Sequence, residues 1–171
     1  VSGNHFYQGD GVPNGVRLAG IVLTRSNTAS TIVGNYVDNC FIEWTNEHDE
    51  TPDFTVGFGF SALSILGNVF LSGQVADWFS YLVVKPHGTG HGIANLSVMN
   101  NSFKTLNGPI QRVERVDTTF ADIDRNRLRN LRFEANSFEN VTQKTENPVV
   151  VDHTQSSVAA TWTVDTANAL P

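Results

Sequence analysis

The sequence predicts an all-β solenoid, a parallel β-helix of about five coils of ~33 residues each. Three observations predict it. The first is a recurring pattern, apolar-x-apolar-x-x-Asn-x-apolar, seen most cleanly in Leu63-Ser64-Ile65-Leu66-Gly67-Asn68-Val69-Phe70. It returns around Asn101 and Asn136, more loosely around Asn35, and in clipped form at Val1 to Phe6. The second is its spacing: Asn4, Asn35, Asn68, Asn101 and Asn136 are 31, 33, 33 and 35 residues apart. The third is composition. Fourteen Gly among 171 residues, with no sustained helical periodicity, favour many short strands joined by turns.

Each element can be read by counting from the Asn. Three residues before it stands Ile32, Ile65, Val98 or Phe133, and two before that Ser30, Leu63, Leu96 or Leu131. Two after it stands Phe6, Val37, Phe70, Phe103 or Phe138. Spacing by two, a break, and spacing by two again reads as strand, bend, strand. A third apolar run follows in most units, at residues 15–23, 81–84, 113–116 and 149–151. Equivalent strands of successive coils then stack in parallel sheets, the coil itself supplying the long crossover that parallel pairing needs. The repeated Asn is explained by bending, since Asn tolerates φ > 0, and stacked amides can bond from coil to coil. Gly3, Gly34 and Gly67 precede it for related reasons.

One domain spans residues 1–171, with 153–171 as a C-terminal cap or tail in which Thr161-Trp162-Thr163-Val164 reads as a last strand. The chain opens inside a repeat, which is expected of a piece of a longer protein. A formal charge of −6 argues against general affinity for nucleic acid or anionic membrane. No apolar run is long enough to span a bilayer. The single cysteine, Cys40, lies in an apolar run and reads as a core residue.

The repeating strand, Asn bend and strand resembles the right-handed parallel β-helix of the pectate-lyase-like superfamily, which includes polysaccharide lyases, glycoside hydrolases and bacteriophage tailspikes. The resemblance covers the chain to about Asp152 and rests on architecture, without an intact catalytic motif of that group. It implies a polysaccharide-recognising domain of a phage-like spike or secreted surface protein, extracellular or virion-associated, forming a homo-oligomer and specifically a trimer. The alternative it implies is a lyase or glycoside hydrolase acting on acidic glycans.

Function on a solenoid sits where the loops differ. Asp38, Glu43 and the segment 44–53 hold six carboxylates without Lys or Arg, but lack the spacing of a calcium loop, so no cofactor is expected and Ca²⁺ is without support. His87 and His91 lie in a Gly-rich segment that lacks the ending of a phosphate-binding loop. The segment 122–132 carries four Arg diluted by acids. Asp117 and Asp152 each fall 16 residues after their Asn, and Lys85 falls 17 after Asn68. In register these three form a row beside His87 and Arg115. Paired carboxyls and a cation are what glycoside hydrolysis of an anionic sugar needs, and Lys85 or Arg115 could act as lyase base. The competing reading is that an Asp directly after a strand caps a turn. For carbohydrate binding the candidates are Trp44, Trp78, Tyr81, His87 and Arg115, because exposed rings stack on sugar faces and cations meet their acidic groups.

Overall fold

The computed structural model describes residues 1–8, 18–55, 59–73, 75–148, 152, 154 and 156–165. They form a parallel β-solenoid of about four turns. One sheet has five strands: β1 (His5–Tyr7), β4 (Tyr36–Asp38), β7 (Val69–Ser72), β10 (Ser102–Thr105) and β13 (Ser137–Glu139). A second stacks β3 (Asn27–Val33), β6 (Phe60–Leu66), β9 (Ile93–Met99) and β12 (Arg129–Glu134). The third stacks β2 (Ala19–Leu23), β5 (Phe41–Thr45), β8 (Leu82–Lys85) and β11 (Glu114–Val116). Among the described residues only the first sheet has five rungs, so the expected five coils become about four.

The sequence spacing translates directly into stacked rows. Ile32, Ile65, Val98 and Phe133 are in register across the β3 sheet and all are buried. Phe6, Val37, Phe70, Phe103 and Phe138 are in register across the β1 sheet. The Phe70 and Phe103 rings stack at 4.8 Å, and Phe103 and Phe138 at 5.8 Å. A one-residue slip would turn every one of these side chains outward, so burial of the row holds the register.

The Asn row is a continuous hydrogen-bonded ladder. Asn35 donates from its backbone N and from Nδ2 to Asn68 Oδ1, at 2.9 and 3.0 Å. Asn68 does the same to Asn101 Oδ1 at 2.9 and 3.0 Å, and Asn101 to Asn136 Oδ1 at 3.0 and 3.1 Å. The positive φ expected at the Asn is not found there. Positive φ falls one residue earlier, at Gly3, Gly34, Gly67, Asn100 and Ala135, while the ladder residues themselves do not adopt it. The bend is made by the preceding residue, and the Asn is held by its amide.

Ala135 therefore carries a methyl at φ 54°, where an L side chain is strained and glycine is not. Ala135→Gly is expected to raise stability by about 0.5–1 kcal/mol. Urea unfolding reads the shift, and a lower midpoint would show that this bend is not strained.

Other expectations are refined. The third strand of the second coil, β5, lies so soon after β4 that spacing alone did not separate it. The run at 149–151 lies outside the described residues. Residues 161–164 form no strand and are exposed. Cys40 is buried in the core, and loss of hydration pushes its thiol up to about 11. No helix among the described residues is long and apolar enough to cross a membrane.

Candidate glycan-binding face

The solenoid sets the site through the alternation of strands β5, β8 and β11. Ile42 and Trp44 on β5 point into the core, as do Leu82 and Val84 opposite them on β8. The alternate positions Glu43, Val83 and Arg115 form a second row, in which Glu43 and Val83 are buried and Arg115 is partly exposed. Thr45, also buried, and the half-buried Lys85 begin the next. The Asp117 N–H donates to Val84 O at 2.8 Å, which continues the β8–β11 ladder and seats Asp117 one strand spacing from Lys85.

The Asp117 carboxylate is fixed on two sides. Its Oδ1 accepts from Thr119 N at 3.0 Å and from Thr119 Oγ1 at 2.5 Å. Its Oδ2 lies 3.3 Å from Arg115 Nη2. Partial burial pushes the carboxyl up, but the Thr119 hydrogen bonds and the charges of Arg115 and Lys85 outweigh this and hold it below the usual value. Asp117 therefore caps its own turn and stays ionised at neutral pH. That suits an acceptor of sugar hydroxyls better than a general acid.

Two exposed rings flank this row. Trp78 is 45% exposed and carries the Arg115 guanidinium at 5.6 Å from a ring centre. Phe120 is 59% exposed, stacks on His87 at 4.3 Å and has Lys85 Nζ at 5.3 Å from its centre. Each solvent-facing ring thus has a cation beside it.

The sequence-selected residues divide accordingly. Lys85, His87, Arg115, Asp117 and Trp78 share this face. Asp152 is exposed, and since the run before it lies outside the described residues, its place in the row has no structural description. Trp44 and Tyr81 are corrected: both are fully buried. The Trp44 ring meets Phe60 edge-on at 5.2 Å, and its Nε1 donates to Arg25 O at 3.1 Å. Tyr81 packs among Phe70, Phe79 and Phe103 and donates to Lys104 O at 2.5 Å. Neither ring presents a face to a ligand. Phe120 was missed by sequence reasoning; its signal is a lone aromatic in the run Thr118-Thr119-Phe120-Ala121-Asp122, which holds no other large apolar side chain.

The acidic and Gly-rich loops hold one another. Asn46 Oδ1 accepts from His87 N at 2.7 Å, and Asn46 Nδ2 donates to Pro52 O at 2.9 Å. Asp53 Oδ1 accepts from Thr89 N at 2.7 Å and Thr89 Oγ1 at 3.0 Å. His91 is buried between the Phe54 and Phe60 rings, with Nε2 2.7 Å from Pro52 O. A Cβ on Gly88 would lie 1.9 Å from Pro52 O, so only glycine permits this approach. Among the described residues, no three His, Cys, Asp or Glu side chains come together as a metal site would require.

No protein-family profile, curated protein or solved structure matches this chain. The likeness to β-helix proteins is therefore one of architecture, a stacked parallel β-solenoid.

Proposed function

We propose that this chain is a polysaccharide-recognising β-helix domain that binds acidic glycans at Lys85, Arg115 and Asp117, beside the ends of β8 and β11. The observation that carries the reading is the pair of exposed rings, Trp78 and Phe120, each with a cation beside it, and Asp117 close to both cations. Rings of this kind cover the apolar faces of sugars, cations meet acidic substituents, and a fixed carboxylate accepts hydroxyl hydrogen bonds. Little of this face needs to be ordered on binding, since Arg115 and Asp117 are already tied to each other.

The resemblance to right-handed β-helices of the pectate-lyase-like superfamily extends the reading to a trimeric spike, or a secreted surface protein, working outside the cell or on a virion. A glycan array of capsular and lipopolysaccharide-type acidic glycans is the test. The expected result is retention on at least one of them, weakened about tenfold by Trp78→Ala and by Phe120→Ala separately. Light scattering on the same sample is expected to give three times the 18.7 kDa chain mass. Absence of retention on every glycan sinks the binding reading, and a monomer removes the spike.

A second reading, cleavage of the bound glycan, draws on the closeness of Lys85 and Asp117 across one strand spacing. It requires release of reducing sugar or an unsaturated product that disappears when Asp117 and Asp152 are both replaced by alanine. Product that persists in that double variant removes the row as a catalytic site.

A further inference from the structure

The Arg-dense segment at 122–132 is not used by the face just described, and the structure separates its arginines. Arg125 pairs with Asp122 at 3.2 Å, Arg127 with Asp124 at 3.3 Å and Arg132 with Glu134 at 3.0 Å. Arg129 is different. Its Nη1 donates to Asn126 O at 2.8 Å and Leu128 O at 2.7 Å, and among the described residues no carboxylate lies within ion-pair distance of it. Two backbone carbonyls orient the guanidinium without neutralising it.

That cation stands at the rim of a groove on the outer face of the β3 sheet. Ser61, Ala94 and Arg129 are in register on β6, β9 and β12. With Phe54 and Arg127 they line a hollow of about 250 Å³. Ala94, Gly59 and Gly92 also line it, and a Cβ on Gly92 would fall 2.3 Å from the Arg127 backbone oxygen, so glycine lets these two segments meet. Ser61 is buried, and its hydroxyl has no hydrogen-bond partner. An enclosed hydroxyl without a partner is costly, and it is answered when an acceptor arrives. On the wall, the Arg127 guanidinium lies 4.5 Å from the centre of the Phe54 ring. Asp124 is paired with Arg127 and bonded to Asn126.

We propose that this groove is a second saccharide subsite, which takes the oxyanion of an acidic sugar, carboxylate or sulfate, on Arg129 and Ser61. The oxyanion accepts from the Arg129 guanidinium and, as the floor adjusts, from the Ser61 hydroxyl, while Phe54 offers an apolar edge to the sugar ring. The subsite rests on the glycan reading only for the sugar that carries the anion; it lies on a different sheet from β8 and β11, the strands that carry Lys85 and Arg115.

Calorimetric titration of the whole chain with methyl glucuronide, a 6-O-sulfated methyl glucoside, neutral methyl glucoside and inorganic sulfate tests it. The expected result is binding of one or both acidic sugars but not of the neutral one, with the two acidic arms distinguishing carboxylate from sulfate. Arg129→Ala is expected to weaken that binding tenfold or more, Arg129→Lys less, and Ser61→Ala a few-fold, while Trp78→Ala leaves it unchanged. Arg129 is exposed, so its variants are expected to unfold at the wild-type urea midpoint. The subsite is overturned if neither acidic sugar binds, if Arg129→Ala binds like wild type, or if inorganic sulfate binds as tightly as the sugars. Loss on Trp78→Ala with none on Arg129→Ala would likewise overturn it, leaving the other face as the glycan site.

Discussion

Asn68→Ala is expected to remove about 3–5 kcal/mol of folding stability, a large part of what a domain of this size has. The residue is buried, and its amide is bonded on both sides. Its Oδ1 accepts from Asn35 N and Nδ2, and its Nδ2 donates to Asn101 Oδ1 at 3.0 Å, Ile32 O at 3.0 Å and Leu66 O at 3.2 Å. Alanine leaves several of these partners enclosed and unsatisfied at about 1–3 kcal/mol each, partly relieved by relaxation. Asn4→Ala, at the exposed rim of the same ladder, is expected to cost under about 1 kcal/mol. Urea midpoints of the two variants, measured side by side, make the comparison. Equal losses would mean that the ladder's position in the stack has no energetic meaning.

Phe70→Ala is expected to cost about 3–5 kcal/mol by the same measurement. The ring is sandwiched in its row by Val37 and Phe103 and touched by Tyr81, the residue before β8, at 5.3 Å between ring centres. A solenoid couples each coil to its neighbours. The hole therefore loosens the coils above and below, and a rigid stack of backbone ladders has little freedom to collapse into it. Phe70→Leu, which keeps most of the volume, is expected to recover more than half of the loss. A loss below about 1 kcal/mol for Phe70→Ala would show that the inner aromatic row is not what binds successive coils.

These two residues were legible because the repeat is itself a measuring device. Counting from the Asn places Phe70 opposite Phe103, and it also places Lys85 beside Asp117. The same ruler reaches the second groove, since Ser61, Ala94 and Arg129 each stand seven residues before Asn68, Asn101 and Asn136. That signal was present but unmarked, because a Ser, an Ala and an Arg share no chemistry until stacking makes them neighbours. Trp44 and Trp78 illustrate the opposite limit. Both are tryptophans near strand ends, yet one is enclosed against Phe60 and the other stands at a loop with Arg115 beside it. Local composition does not distinguish them, because burial depends on which loop folds over which face.

The sequence by itself determined the solenoid, its period, the stacked apolar rows and the Asn ladder. All of these follow from one local pattern repeated at nearly constant spacing, so that each copy pairs with the next at the same register. Tertiary structure alone decided which of the described arginines is left without an acid, which rings face solvent, and which residue bears the positive φ of the bend. The physical reason is that each of these is settled across coils, by contacts between side chains some 33 residues apart, as Asn68 and Asn101 are. Charge pairing, burial and backbone strain at any one position depend on what the coil above and the coil below present to it.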